Sequence, residues 1–319
     1  MMHNSVINAV VNYTMTKTLI SIVGPTAIGK TALSLKLAQY FNCDIISADS
    51  RQFFKEMNIG TAVPTAKELN TVTHHFIQHK SVKEDYTVGD FEADAITKID
   101  ALQQTNPIVI MVGGSGLYVK AVTKGLDTFP NVDKQIRNNL NENLQKLGIE
   151  TLQNQLKTLD ITAFNTIAID NPQRLIRALE ICIGTGKPYS SFLTHTEKKR
   201  NFKTLSIGLN ADRSIIYERI NQRVDLMIDN GLVDEVKRLL PYENLNALNT
   251  VGYKELFQYF KGNYTLEFAI SEIKKNTRRF AKRQGTWFKK DKSIAWFEYT
   301  TDYKIIIRHI EKAIKKSDT

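Results

Sequence analysis

Cysteine is scarce in this sequence. Only Cys43 and Cys182 occur among 319 residues, too few for a four-ligand zinc site or a disulfide framework. Such sparse use is typical of proteins in the reducing cytosol, so we expect a cytoplasmic protein. The sequence also lacks any run of 18 or more apolar residues, which argues against a membrane-spanning helix.

The first 17 residues, MMHNSVINAVVNYTMTK, lack the features of a targeting segment. They contain a short apolar patch without a preceding basic region, and they lack the arginines of a transit peptide. We expect residues 1–17 to be a disordered lead-in or to precede an alternative start.

Acidic residues are outnumbered, 33 against 43 lysines and arginines, which gives a net charge of +10. Taken alone, this excess of positive charge is explained equally well by a solvated basic surface and by a nucleic acid as partner. The charge is clustered, however, in SEIKKNTRRFAKRQGTWFKKDK, residues 271–292, where the only acids are Glu272 and Asp291. Clustered basic charge favours a nucleic acid as partner.

Short apolar runs alternate with helical stretches. The runs TLISIV (18–23), CDIISAD (43–49), NPIVIMV (106–112) and KTLSIGLN (203–210) predict buried strands, and TALSLKLAQYF (31–41) has apolar residues at helical spacing. This order predicts an α/β fold with a doubly wound parallel sheet that is covered by helices on both faces.

The middle of the chain has no convincing strand pattern. KQIRNNLNENLQKLG and NPQRLIRALEICIG predict helices, the second with Pro172 in its first turn and a stop at Gly184. We therefore predict a helical domain inserted into the sheet domain, and a helical region after the last strand. The predicted domains are an α/β core of residues 18–130 and 203–319 and a helical insertion of residues 131–202.

GPTAIGKT, residues 24–31, matches the phosphate-loop pattern GxxxxGK[ST] between a strand and a helix. Glycines let the backbone curl so that N–H groups point inward, and the helix N-terminus adds the positive end of its dipole. Lys30 supplies a positive charge and Thr31 a hydroxyl that can bind Mg²⁺. The predicted phosphate-binding residues are Gly24, Pro25, Thr26, Ala27, Ile28, Gly29, Lys30 and Thr31.

The aspartate that a nucleoside triphosphatase carries at the end of a later strand is missing. NPIVIMV is followed instead by GGSG, residues 113–116. Asp49, at the end of the strand after the phosphate loop, is a candidate general base for an acceptor substrate. The alternative is an aspartate that only caps or turns the chain.

Four further residues are candidates on weaker grounds. Ser115 can make a hydrogen bond in the cleft or cap the following helix, and Lys120 can point at a phosphate. Arg219 and Arg223 are four residues apart on one predicted helix. They are either a clamp for diphosphate oxygens or a solvated stripe.

Taken together, the motifs resemble one family, the tRNA dimethylallyltransferases, also called tRNA isopentenyltransferases, in their bacterial form. The specific matches are ADSRQFFKEMNIGTA, NPQRLIRALE and KRQGTWF, whereas the phosphate loop is shared with many families. The matching stretches, which follow one another over roughly residues 18–298, are GPTAIGKTALS, DIISADSRQFFKEMNIGTAVPT, HHFI, YTVGDFEADA, VGGSGLYVKA, DNPQRLIRALE, RINQRVDLMI, VGYKE and KRQGTWF.

The resemblance implies a P-loop core similar to that of nucleotide kinases, and it also implies a prenyl-transfer reaction. A dimethylallyl group would pass from dimethylallyl diphosphate to N6 of adenine 37, next to the anticodon of a tRNA, with Mg²⁺ as cofactor. The phosphate loop, Lys120 and Arg219 would hold the diphosphate, and Arg223 would stabilise charge on it as it leaves. Asp49 would accept the N6 proton, and Ser115 would make a second polar contact at that nitrogen or at the donor.

The resemblance also assigns a tRNA-binding surface, and the cationic members of the set suit phosphate contact. Trp287 is either a base-stacking residue or a core residue. The assigned residues are Asp49, Ser50, Arg51, Gln52, Arg137, Gln173, Arg174, Leu175, Ile176, Arg177, Asn249, Gly252, Tyr253, Lys254, Lys282, Arg283, Gln284, Trp287 and Lys289. We expect a monomer.

The sequence differs from the family pattern at two places. Ser115 stands where the family more often has threonine, and Asn249 and Lys254 stand near a position where it often has arginine, which loses forked hydrogen bonding. His74 and His75 match a family element, but they have no cysteine pair nearby and are poor metal candidates.

Two other functions remain open from the sequence. One is a small-molecule or nucleotide kinase on the same fold, and the other is a P-loop RNA-binding protein without transfer chemistry. The basic segment 271–292 argues against the kinase, because a small acceptor does not require it.

Overall fold

A computed structural model describes residues 16–194 and 196–315. Most of the expected disordered lead-in, residues 1–15, lies outside the described residues. The described chain forms two compact units, one from the residues up to Lys124 together with those from Lys199 onward, and one from Gly125–Lys198.

The first unit is built on a six-stranded sheet in which every pairing is parallel. Its strand order is β3-β2-β4-β1-β5-β6. The predicted α/β class and parallel sheet are thereby confirmed. The strands are β1 (Thr18–Val23), β2 (Ile45–Ser47), β3 (His74–His75), β4 (Ile108–Val112), β5 (Lys203–Asn210) and β6 (Ala295–Glu298).

Nine α-helices are described in this unit. They are α1 (Lys30–Phe41), α2 (Ala66–Thr71), α3 (Val88–Leu102), α4 (Gly116–Lys124), α9 (Arg213–Asp229), α10 (Leu232–Arg238), α11 (Tyr253–Phe260), α12 (Leu266–Phe288) and α13 (Tyr303–Lys315).

Alternate residues of the central strands pack into two different cores, as the two-residue period of a strand requires. Leu19 and Val109 join the core that includes residues of α3, α4, α10, α11 and α12. Ile20 and Ile110 join the core that includes residues of α1, α9 and α13. The central strands are covered on both sides, which explains their continuous apolar sequence.

The second unit, Gly125–Lys198, contains the helices α5 (Lys134–Leu147), α6 (Ile149–Leu159), α7 (Ile161–Thr166) and α8 (Pro172–Thr185). Its core is mostly leucine and isoleucine from α5, α6 and α8. Helix α8 has Pro172 in its first turn and Asn171 as its cap, whose side chain accepts a hydrogen bond from Arg174 N. The predicted stop at Gly184 is wrong, because the helix ends at Gly186, which adopts φ +66°.

Within residues 16–194 and 196–315, no helix is long and apolar enough to cross a membrane.

Candidate active site

The phosphate loop joins β1 to α1, and two of its glycines have backbone conformations that L side chains rarely adopt. Gly24 has φ +142°, and a Cβ there would lie 2.6 Å from Leu209 O on β5. Gly29 has φ +105° at the start of α1, and no side chain caps that helix. The first N–H groups of α1 are therefore available to an anion.

Lys30 lies across this loop. Its Nζ donates hydrogen bonds to Gly24 O (3.1 Å) and Pro25 O (2.8 Å). Burial, together with the nearby Arg223, lowers the pKa of Lys30 to about 7, while Asp49 acts in the opposite direction. An entering anion would favour the charged form of this lysine.

Both arginines of α9 reach the phosphate loop. The alternative that they form only a solvated stripe on the helix surface therefore does not hold. Arg223 Nη1 donates to Thr26 Oγ1 (2.9 Å), and Arg219 Nε donates to Ala27 O (2.7 Å). Both line a cleft of about 430 Å³, the first cleft, with Lys30 and Thr31. A cleft with this lining suits an anionic group such as a diphosphate.

Gln284 of α12 ties the phosphate loop to the second glycine turn. Its Oε1 accepts a hydrogen bond from Thr26 N (2.8 Å), and its Nε2 donates to Gly114 O (2.9 Å). A Cβ on Gly114 would lie 2.3 Å from that Nε2, so a larger residue there would displace the Gln284 amide. Gln284 is buried and has this structural role, but it also lines the second cleft, so its expected tRNA contact stays a prediction.

Asp49 follows β2 by two residues and lies at the junction of two clefts. Its Oδ1 accepts a hydrogen bond from Arg51 N (3.1 Å), whereas no hydrogen bond among the described residues engages Oδ2. Asp49 and Arg223 line both the first cleft and a second cleft of about 690 Å³. The carboxylate thus makes a local turn and still faces the cavity.

Ser115 lies in the second cleft only. Its Oγ accepts a hydrogen bond from Ser50 N (3.1 Å) and lies 3.1 Å from Ser50 Oγ. The hydroxyl therefore contacts the segment that carries Asp49, which is consistent with a role at the acceptor side.

Helix α12 supplies an aromatic and basic wall to the second cleft. Phe280 and Trp287 are 38 % and 39 % exposed, although both are large apolar side chains, and Arg283 lies over the Phe280 ring at 5.8 Å. A Cβ on Gly116 would lie 2.3 Å from the Trp287 indole, so that glycine makes room for the ring. Exposed aromatics beside an arginine can stack on unpaired bases.

Sequence reasoning missed Phe280, although its spacing of seven from Trp287 places the two on one helix face. Asn249 and Lys254 line the same cleft and are exposed. Arg51 lines this cleft too and holds the chain near them, since it donates hydrogen bonds to the carbonyl groups of Asn246, Ala247 and Asn249.

Four expected site residues are corrected. Lys120 is exposed on α4 and lines neither cleft, so the structure does not support it as a diphosphate ligand. Leu175 and Ile176 are buried in the core of the second unit. Tyr253 is fully buried, and its hydroxyl donates to Glu235 (2.7 Å). The side chains of these last three residues are not available to a tRNA.

The remaining expected contacts fall into two groups. In the second unit, Gln173 and Arg174 are exposed, while Arg137 and Arg177 both bond to Glu180, at 2.8 and 3.0 Å. On or beside α12, Lys282 and Lys289 are exposed. These positions stay predictions, as do Ser50, Gln52 and Gly252, which line the clefts.

The donor set fits a magnesium ion held mainly by substrate. No group of three or more His, Cys, Asp or Glu side chains within residues 16–194 and 196–315 is arranged to hold a metal. Thr31 lines the first cleft, and Mg²⁺ commonly takes one or two protein oxygens together with phosphate oxygens and water. His75 and His74 bond to Asp44 and to Val72 O instead, both at 2.8 Å.

Two clefts that meet at a carboxylate and an arginine, one of them at a phosphate loop, define a P-loop α/β transferase. The comparisons with known proteins specify it further. The sequence model of a family described as IPP transferase matches residues 52–291. This chain belongs to that family.

The relatives agree with this assignment. The chain is 61 % identical over 300 residues to a tRNA dimethylallyltransferase of Christiangramia forsetii, covering 94 % of this chain and 99 % of the relative. It is 59 % identical over 307 residues to one of Flavobacterium johnsoniae, with the same coverage.

Solved structures are similar as well. A tRNA isopentenylpyrophosphate transferase of Bacillus halodurans is 38 % identical with a TM-score of 0.69, over 94 % of this chain and 96 % of that one. A eukaryotic dimethylallyltransferase acting on tRNA is 26 % identical with a TM-score of 0.74, over 89 % and 74 % of the two chains.

Proposed function

We propose that this protein transfers a dimethylallyl group from dimethylallyl diphosphate to N6 of adenine 37, next to the anticodon of a tRNA. The observation that carries the proposal is the junction of the two clefts at Asp49 and Arg223. Membership of the IPP transferase family and the names of the relatives support the same reaction. We further propose that the enzyme works as a monomer in the cytoplasm.

In this mechanism the diphosphate lies in the first cleft. The phosphate loop, Lys30 and Arg219 bind it, and Arg223 stabilises the negative charge that develops as the bond between the allyl carbon and the diphosphate oxygen breaks. Thr31 would help to hold Mg²⁺, which would supply further neutralisation of charge on the phosphate oxygens.

The acceptor adenine enters the second cleft, which requires that it leave the stack of the anticodon loop. Its N6 forms a bond to the allyl carbon as diphosphate departs. Asp49 accepts the proton that N6 loses, so that the product amine is neutral. Ser115 and Ser50 supply hydroxyl groups next to the segment that carries Asp49. Phe280 and Trp287 supply aromatic rings on which the adenine can stack.

The direct experiment is to incubate the protein with labelled dimethylallyl diphosphate, Mg²⁺ and tRNA that carries A36 and A37. We expect label in the tRNA, and none when A37 is replaced by G. Absence of label with the wild-type protein would refute the reaction and would favour RNA binding without transfer.

The kinase alternative shares the fold but predicts a different ligand preference. A ligand that binds only the folded state raises the unfolding temperature by an amount that grows with its affinity. We expect dimethylallyl diphosphate to raise it more than ATP at equal concentration. The reverse order would favour a kinase.

A further inference from the structure

Glu235 of α10 is a buried carboxylate that lies outside both clefts. Its Oε2 accepts hydrogen bonds from Asn58 N (3.0 Å) and Ile59 N (2.7 Å). Its Oε1 accepts from Gly60 N (3.0 Å) and from the Tyr253 hydroxyl (2.7 Å). One side chain thus fixes three consecutive backbone N–H groups of an irregular loop.

The Tyr253 ring presses the same loop from a second direction. A Cβ on Gly60 would lie 2.6 Å from the ring, so the loop backbone is in close contact with it. Tyr253 is the first residue of α11 and Glu235 belongs to α10. The loop is therefore held against two helices by a carboxylate and an aromatic ring, both of them buried.

The loop leads directly into the wall of the catalytic junction. The next two residues, Thr61 and Ala62, line both clefts, as Asp49 does. Their carbonyl oxygens accept hydrogen bonds from Gln52 Nε2, at 3.1 and 3.0 Å. The position of the Gln52 amide is thereby set by the loop that Glu235 holds.

Gln52 passes this constraint to the proposed base. Its Oε1 accepts a hydrogen bond from Ser47 Oγ (3.1 Å), and Ser47 Oγ accepts one from Asp49 N (3.4 Å). Gln52 N also donates to Asp49 O (3.1 Å). A continuous set of hydrogen bonds therefore runs from Glu235 through the loop and Gln52 to the backbone of Asp49.

We propose that Glu235 and Tyr253 are positioning residues for Asp49, which act through the loop 58–62 and Gln52. The inference rests on the proposed function, since it needs Asp49 to be the base. Catalytic groups must be held within a fraction of an ångström of the productive geometry, and a displacement of about 1 Å can cost about 10²-fold in rate. Loosening the loop should therefore lower kcat, while Lys30 and the phosphate loop, which take no part in this set of hydrogen bonds, still hold the diphosphate.

The test uses Tyr253→Phe and Glu235→Gln in the full-length protein. Tyr253→Phe keeps the ring against Gly60 and removes only the hydroxyl that Glu235 accepts from. Glu235→Gln keeps the shape but places an NH₂ group against backbone N–H donors. We expect kcat for tRNA prenylation to fall about 3- to 10-fold in the first variant and about 10- to 100-fold in the second, with KM for dimethylallyl diphosphate within about 2-fold of wild type.

Tyr259→Phe, on the same helix α11 and packed at the edge of the same core, is the matched control and should retain wild-type kcat. The decisive comparison repeats both variants in an Asp49→Asn background. If they act by positioning the base, they should have little further effect once the base is gone.

The outcomes separate the two proposals. An equal fold loss of kcat in the wild-type and Asp49→Asn backgrounds, or a rise in KM for dimethylallyl diphosphate with kcat unchanged, would overturn the positioning role. Failure of the wild-type protein to label tRNA would instead overturn the proposed reaction. If Glu235→Gln does not fold, Tyr253→Phe alone decides the question.

Discussion

At the scale of single residues, Asp49 has the arrangement that a general base needs. One carboxylate oxygen is used to hold the chain through Arg51 N, and the side chain still faces both clefts. The sequence left open whether this aspartate only makes a turn. The structure has both features at once, because a carboxylate offers two oxygens.

Replacement of Asp49 by Asn separates the two roles. The Asn side-chain oxygen still accepts from Arg51 N, so we expect the loop to persist and tRNA affinity to change little. The rate of a single turnover should fall by about 10²- to 10⁴-fold, because the amide cannot accept the proton. Rapid-quench kinetics and filter binding measure the two quantities. A rate near that of the Asp229→Asn control would exclude Asp49 as the base.

Gln284 offers a second residue-scale prediction, this time on the phosphate loop. Leucine at this position removes the acceptor of Thr26 N and the donor to Gly114 O, and leaves both backbone groups without these partners. We expect the free energy of unfolding to fall by about 1–3 kcal/mol, and the affinity for inorganic diphosphate to fall as well. Urea unfolding and calorimetric titration check this, with the exposed Gln39→Leu on α1 as the control. Unchanged diphosphate affinity would show that the loop does not depend on this tie.

At the scale of helices and strands, the sequence predicts those elements whose bounds are determined by the local pattern of apolar residues. The bounds of β1 and β5 coincide with the apolar runs 18–23 and 203–210, since these strands lie inside the sheet. The edge strands β3 and β6 were missed, because two or four residues that pair only at the rim carry no such pattern. The end of α8 was predicted at Gly184 and lies at Gly186. Gly184 is glycine for another reason, since a Cβ there would lie 2.5 Å from Val132, a contact that no sequence pattern reports.

The same limit applies to the site. The phosphate loop and Asp49 follow from motifs, because their chemistry is local in the chain. The roles of Gln284 and Glu235 depend on partners 258 and 177 residues away, Thr26 and Asn58. Leu175, Ile176 and Tyr253 were assigned to tRNA because they stand in motifs, but a motif also contains the residues that hold its neighbours in place.

Helices α5 and α8 are joined by a charged cluster that predicts a pH dependence. Burial tends to raise the pKa of Glu180, but the hydrogen bonds from Arg137 and Arg177 outweigh it, so the pKa lies below its usual value of 4.5. A carboxyl with a depressed pKa binds more protons in the unfolded state, so its contribution to stability is complete above pH 4.5 and is lost as the pH falls through the lower, folded value.

We therefore expect the wild-type protein to lose stability more steeply below about pH 4.5 than Glu180→Gln does, with the two curves parallel near neutral pH. Urea unfolding between about pH 3 and 7, followed by helical circular dichroism, measures the difference. If the two curves are parallel throughout this range, the cluster does not contribute to the pH dependence of stability. Glu150→Gln, in the first turn of α6, is the control.

At the scale of the whole molecule, the net charge of +10 raises the question of whether tRNA binding depends on total charge or on its placement. Lys282 and Arg283 are exposed on α12, and Arg283 lines the second cleft beside Phe280 and Trp287. Charge at this position lies next to the proposed entry of the flipped adenine. The exposed Lys312 and Lys315 of α13 carry the same charge on a helix that packs into the other core of the sheet.

Two double variants distinguish these possibilities, because each removes two positive charges. Each cation that contacts a phosphate releases counterions, so its loss reduces the slope of log affinity against log salt concentration by about 0.7–0.9. We expect Lys282→Ala with Arg283→Ala to weaken tRNA binding and to reduce the slope by about 1 to 2, and Lys312→Ala with Lys315→Ala to change it by less than about 0.5. Fluorescence titrations with labelled tRNA between about 50 and 300 mM salt measure the slopes. Equal effects of the two double variants would mean that α12 contributes only its share of the total charge, and that the aromatic and basic wall of the second cleft does not contact the tRNA backbone.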